Sequence, residues 1–245
     1  MVGSADSIGS PNTTLNAIVA EAFCEAADRL EEAEDFDLAV HDLIKEYMTK
    51  HQRIIFNGDG YSEEWVKEAA KRGLPNIDSM VEAVDTLTTE KAVRLFERFG
   101  IFTKAELESR EEILYETYAK TINIEALTMI DMASKQILPA VIRYTKDLAD
   151  TILAVTGAGI DAEVQKELLA EVTLHLKEMQ KALKHLKKKE EEAAEIKNAR
   201  EKAFFCMREI KTAMEDLRTA ADTLEVLVDK KVWPFPTYGD LLFEV

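Results

Sequence analysis

Apolar residues recur at helical spacing almost from the start of the chain. Ser10-Pro11 reads as a helix start, with Ser10 at N-cap and Pro11 in the first turn. Leu15, Ile18, Val19, Ala22, Phe23, Ala26 and Leu30 then form a one-face stripe. Leu38, Leu43, Ile44, Tyr47 and Met48 predict a second helix from about Asp37 to Lys50. Arg53-Ile54-Ile55-Phe56 is short and β-branched, and Asn57-Gly58-Asp59-Gly60 forces a tight turn. Ser62 should cap a helix that stops at Lys71-Arg72-Gly73, with Pro75 beyond it. Short helices near 79–86 and 89–99 follow, the second closed by Gly100.

Thr103-Lys104-Ala105-Glu106 is a capping box, with Thr at N-cap and Glu at N3. It opens a helical pattern that reaches about Val155 and ends at Thr156-Gly157-Ala158-Gly159. Pro139 lies inside and should kink or divide it. The most apolar window, Ile122 to Ile142, predicts a buried helix; Glu125, Asp131 and Lys135 exclude it as a membrane span. Asp161 is the expected N-cap of the next helix. Beyond it the spacing becomes coiled-coil-like. One seam runs through Val164, Leu168, Val172, Leu176, Met179, Leu183 and Leu186. A second runs from Ile196 through Ala203, Met207, Ile210, Met214, Leu217 and Leu224 to Val228. Two antiparallel helices turning within 187–198 would bury the seams against each other; one continuous helix over 161–230 is the alternative that the sequence leaves open. The expected fold is all-α: a helical bundle with a kinked long helix and a long hairpin over 161–230. The aromatic tail at 231–245 should pack onto the body through Trp233-Pro234-Phe235-Pro236.

Composition narrows the function classes. Only 9 Gly and 5 Pro occur in 245 residues, too few for an all-β chain. Cys24 and Cys206 are the two cysteines, which excludes a disulfide framework and points to a reducing compartment. A formal charge of −16 disfavours nucleic acid as a partner.

Each candidate for chemistry has a structural reading beside it. Gly157-Ala158-Gly159-Ile160-Asp161-Ala162 fits G-x-G-x-x-A, but Leu148, Ile152 and Val155 before it are spaced as a helix, so a helix end is expected there. Asn57 to Gly60 lacks the alternating ligands of a calcium loop. His41, His51, His175 and His185 lack an acid three residues before them and lie in no four-residue pair, so helical di-metal and zinc patterns are missing. Cys24 and Cys206 read as packing residues. Glu125, Asp131, Lys135 and Asn123 form either a buried relay or a solvent-facing stripe with an ion pair. Lys187-Lys188-Lys189-Glu190-Glu191-Glu192 reads as a solvated helix end or turn. No nucleophile elbow and no P-loop motif is present.

Several stretches together resemble the C-terminal part of the type III glutamine synthetases. They are Thr121 to Ala133, Lys135 to Val141, Arg53 to Ser62, the opening Val2-Gly3-Ser4 with Pro11-Asn12-Thr13, and above all Trp233-Pro234-Phe235-Pro236-Thr237-Tyr238-Gly239-Asp240-Leu241-Leu242-Phe243. By this resemblance, residues 1–56 finish the catalytic domain with two helices and 57–245 form an additional helical region. Such enzymes are cytoplasmic homo-oligomers that join glutamate and ammonia through a γ-glutamyl phosphate, using ATP and magnesium. In the family the ligands for metal, ATP and glutamate precede the Val-Gly-Ser segment. The resemblance therefore transfers no catalytic, cofactor-binding or metal residue to this chain. It implies a structural or assembly role, an isolated chain without activity, and partners in the rest of the synthetase and its other subunits. It leaves open whether Met1 is a start or an internal methionine. The alternative is a stand-alone helical module recruiting a partner through the 161–230 seam. A small enzyme using Glu125, Asp131 and Lys135 is a third reading.

Overall fold

The computed structural model describes residues 7–236 and 238–243. Helices account for most of them, and no strand occurs among the described residues. The chain divides into two compact units at Glu111/Glu112.

In the first unit, α1 (Gly9–Glu31) packs with α2 (Phe36–Lys50) and with α5 (Glu90–Arg98). Helix α1 starts after Ile8, which offers no side-chain cap. Ser10 therefore lies inside the first turn rather than at the expected N-cap. Arg29 reaches Glu46 with two charge-assisted hydrogen bonds of 2.6 and 3.1 Å, tying α1 to α2. Arg98 holds Glu21 at 2.7 Å and ties α1 to α5. A single turn of 3₁₀-helix covers Gln52–Ile54, and Phe56 stacks on Trp65 of α3 (Glu63–Lys71) at 4.2 Å. Ser62 caps α3 as expected, accepting from the Trp65 N–H. Gly73 after α3 and Gly100 after α5 take the left-handed conformation (φ 68° and 61°) that only glycine adopts without strain. Short α4 (Met80–Val84) buries Val81 and Val84. Ala17, Phe96 and Leu107 form a small core with Val93, Leu95 and Phe102 around them.

A one-face stripe like that of α1 ordinarily packs on a core. Here only Ala17 of α1 is buried. Leu15, Ile18, Val19 and Phe23 stand exposed, Phe23 at 72%. Leu38, Ile44 and Met48 of α2 and Ile54 beyond it are exposed as well.

Helix α6 (Lys104–Met132) opens on the expected capping box and runs into the second unit. Ala133–Ile137 is a π turn, and α7 (Leu138–Gly157) continues from it. The break expected at Pro139 takes this form. Proline supplies no N–H and crowds the carbonyl four residues earlier. A wider turn just upstream relieves that crowding, with the Leu138 N–H reaching back to the Ala133 carbonyl. The 122–142 window is not buried all round. Ile122, Ala126, Ala133, Ile137, Ala140 and Val141 face the core, while Ile124, Leu127 and Ile142 face solvent.

Helix α8 (Glu163–Glu195) begins after Ala162, without a side-chain cap. Asp161, the expected cap, pairs instead with Lys166 at 3.2 Å. Ile196 to Asn198 make the hairpin turn. Asn198 then caps α9 (Ala199–Phe205), accepting from the Glu201 N–H. A second π turn, Cys206–Ile210, leads into α10 (Lys211–Leu227). Lys189 meets Glu209, whereas the earlier stretch His175 to His185 shares a pocket with the later stretch Asp216 to Thr223. As one number rises the partner falls, so the arms are antiparallel, as the two seams required. Val172, Met179, Leu183 and Leu186 interlock with Cys206, Ile210, Ala213, Leu217 and Leu224. Val164, assigned to the seam, is 74% exposed, because α8 has barely begun there. Trp233 is buried in this core and Phe235 packs against it, as the tail reading required. Thr237 lies outside the described residues. α11 (Tyr238–Phe243) follows, with Asp240 paired to Lys230.

Candidate functional site

The motifs singled out in the sequence resolve into structural features. No strand precedes Gly157-Ala158-Gly159; α7 does, and Gly159 has φ 78°, the signature of a helix end. In the Asn57–Gly60 turn, the Asp59 carboxylate accepts the Tyr61 N–H at 2.9 Å, and the Ser62 hydroxyl donates to the Asp59 carbonyl. His41 neighbours Asp42, and His175 pairs with Glu178 at 2.8 Å. His185 lies further along α8 on the rim of the same shallow pocket as His175. Cys206 is buried at 1%, and desolvation pushes its thiol pKa up, away from nucleophilic chemistry. Cys24 is half-buried.

The polar residues of the apolar window do not converge. Asp131 and Lys135 form a solvent-facing ion pair. Asn123 donates to Glu190 of α8 at 3.0 Å, and Glu125 is exposed on a groove edge. The Lys187 to Glu192 run lies within α8 rather than at its turn. Lys189 bridges Glu192 at 3.1 Å and Glu209 at 2.8 Å, so this run clamps the two arms. The two carboxylates hold the Lys189 ammonium above its usual pKa, and Lys189 holds Glu192 below its own.

The second unit holds a groove of about 430 Å³ between α6, the π turn and α10. Met129, Met132, Met214, Trp233 and Phe235 give it an apolar floor, and Lys211, Glu215 and Arg218 stand on its rim. Sequence reading placed the aromatics on the body but did not pair them with these methionines. The only sequence cue was that Met214 shares the seam that ends near Trp233. The groove suits an apolar group and contains no nucleophile–base pair. In the first unit, an open pocket beside Arg72 is organised by that side chain: it donates to the Ile55 carbonyl at 2.8 Å and to Glu68 at 2.7 Å.

A divalent metal with ATP needs several oxygen ligands converging on one point. No group of three or more His, Cys, Asp or Glu side chains is so placed among the described residues. No such set converges among the described residues, and no catalytic step is assigned to them. No helix among the described residues is long and apolar enough to cross a membrane.

Residues 39–156 match the glutamine synthetase C-terminal domain family. A glutamine synthetase of Butyrivibrio fibrisolvens is 38% identical over 208 residues, covering 84% of this chain and 30% of that protein. A type-3 glutamine synthetase of Dictyostelium discoideum is 32% identical, covering 99% of this chain and 34% of that protein. A glutamine synthetase of Bacteroides fragilis (strain YCH46) is 31% identical, covering 98% and 34%. The chain thus spans about a third of the length of the curated relatives it matches. By these matches, which run along nearly its whole length, the chain matches the C-terminal part of the type III glutamine synthetases.

Proposed function

We propose that this chain is the architectural C-terminal portion of a type III glutamine synthetase. It works in the cytoplasm within a homo-oligomer, and the remainder of the enzyme carries the ATP- and magnesium-dependent joining of glutamate and ammonia. In this reading, residues 1–56 complete the catalytic domain and 57–245 form the helical addition. The observation that carries it is the family match of a chain whose reactive side chains are dispersed rather than gathered. The uncovered apolar face of α1 and α2 supports it. Leu15, Ile18, Val19, Phe23, Ile44 and Met48 stand in solvent, and an apolar patch of that kind marks a surface that meets another protein segment.

The stand-alone module required a free seam over 161–230. Both seams are spent on each other in the hairpin, which weighs against that reading.

The test has two arms. The purified chain is assayed for γ-glutamyl transfer and ATP-dependent glutamine formation, and the expected result is none. It is then coexpressed with the N-terminal two thirds of the Bacteroides fragilis relative, and the two parts should copurify as an active assembly. Glutamine made by the chain alone, or failure of the parts to associate, overturns the proposal.

A further inference from the structure

One stripe on the outer surface of α8 carries charge opposite in sign to the net charge of the chain. Lys166, Lys177, Lys181, Lys184 and Lys188 follow at steps of 11, 4, 3 and 4, which places them on one stripe of the helix, since eleven residues make close to three full turns. The stripe lies opposite Val172, Met179, Leu183 and Leu186, the residues α8 buries. No carboxylate lies on it between Lys166 and Lys188. Lys177, Lys181 and Lys184 are exposed and have no ion-pair partner among the described residues. Beside this stripe, between α7 and α8, lies an open notch of about 620 Å³. Ile152, Leu169, Ala170 and Leu174 line it, with Lys166 and Lys177 at its two ends. The notch therefore offers a largely apolar slot with Lys177 at one end and Lys166, which also meets Asp161, at the other.

The chain contains a segment of matching chemistry. From Leu30 to Ile44 there are six carboxylates and no Lys or Arg. Glu31, Glu32, Glu34 and Asp37 are exposed, and Phe36 stands among them 59% exposed. An aromatic side chain held in water between carboxylates is a costly arrangement for a surface that meets nothing. Two copies of a chain of charge −16 repel over most of their surfaces. A cationic stripe meeting an acidic segment is a contact that this repulsion does not oppose. The same net charge argues against nucleic acid as the occupant of the stripe.

We propose that the notch between α7 and α8, with the lysine stripe beside it, receives the Glu31–Leu38 segment of a second copy. Phe36 is the anchor, and Glu34 and Asp37 meet lysines at the ends of the slot. This deepens the assembly role proposed above and rests on it. Aromatic anchors framed by charge carry most of the energy of such contacts, while the charges set orientation and encounter rate.

Sedimentation velocity of the full chain at about 50 mM and about 500 mM salt tests this, since screening shortens the reach of exposed charges over that range. The wild-type chain should self-associate at low salt, with at least about tenfold weaker association at high salt. The triple reversal K177E/K181E/K184E and, separately, E31K/E34K/D37K should each be monomeric with unchanged helical circular dichroism. An equimolar mixture of the two variants should associate again, because an acidic stripe then meets a basic segment on a different chain. Phe36→Ser should weaken wild-type association without changing its salt dependence. Association that survives both reversals overturns the pairing and leaves the assembly role standing. A wild-type chain that stays monomeric at low salt, or a mixture that does not associate, also overturns it, whereas the coexpression experiment judges the assembly role by itself.

Discussion

Thr103 and Glu106 satisfy each other across the first turn of α6. The Thr103 N–H donates to Glu106 Oε2 at 2.8 Å, and Thr103 Oγ1 accepts from the Glu106 N–H at 3.3 Å. The Thr103 hydroxyl also reaches the same carboxylate at 2.9 Å. Replacing Thr103 by Ala removes the cap of the helix that runs on into the second unit. It should cost about 1 kcal/mol, read as a lower midpoint in urea with unchanged slope.

The same pair has a pH signature. The backbone N–H and the hydroxyl of Thr103 hold the Glu106 carboxyl below its ordinary pKa. A carboxyl whose folded pKa is depressed stabilises the fold above its unfolded pKa, and that support fades as pH falls through the folded value. Wild-type stability should therefore drop on acidification below the ordinary carboxylate range. Glu106→Gln should show less of that drop, because its amide does not titrate. Equal acid sensitivity in the two proteins would sink the assignment.

The hairpin core gives a paired comparison. Leu217 is buried between the arms, whereas Val164 is exposed. Leu217→Ala should destabilise by about 3 kcal/mol through lost burial and a cavity. Val164→Ala should stay within about 0.5 kcal/mol. Chemical denaturation of both variants checks this.

Thiol labelling separates the two cysteines. Cys24 is half-buried and Cys206 is closed into the hairpin core with a raised pKa. In the native protein, a thiol reagent should modify Cys24 at least about tenfold faster than Cys206, and in denaturant the rates should converge. Rapid native labelling of Cys206 would contradict its burial.

Lys189 is expected to matter in a salt-dependent way. Lys189→Met removes the clamp between Glu192 and Glu209. Thermal stability should fall at low salt, and the difference from wild type should narrow at 0.5 M salt as exposed ion pairs are screened.

How legible these features were depends on where their causes lie. The capping box at Thr103, the Ser62 cap and the stops at Gly73 and Gly100 rest on neighbouring residues, and local sequence shows them. The hairpin was legible because two apolar seams each needed a partner. Its turn was harder to place, since neither Gly nor Pro marks it. The missed signal was Asn198 followed three residues later by Glu201, the pattern of a helix start. Asp161 looked like a cap by residue type, yet the chain enters α8 one residue later and its carboxylate serves Lys166. The α1 stripe was correct as a helix and silent about burial, because periodicity says which face is apolar and not what covers it. The Met129, Met214 and Trp233 groove was not legible at all, because it joins positions far apart in the chain.

The wide turn before Pro139 and its counterpart at Cys206–Ile210 bear on how such a chain changes length over generations. One residue added to a tightly packed helix would swing every later side chain by about 100° and pull the downstream half out of phase with its neighbours. A π turn houses the surplus residue in a single loop of backbone and leaves both flanks in phase. Chains lacking one residue at either place should close into ordinary helix there and keep the same packing on each side, so these two points are where the bundle tolerates being a residue longer or shorter.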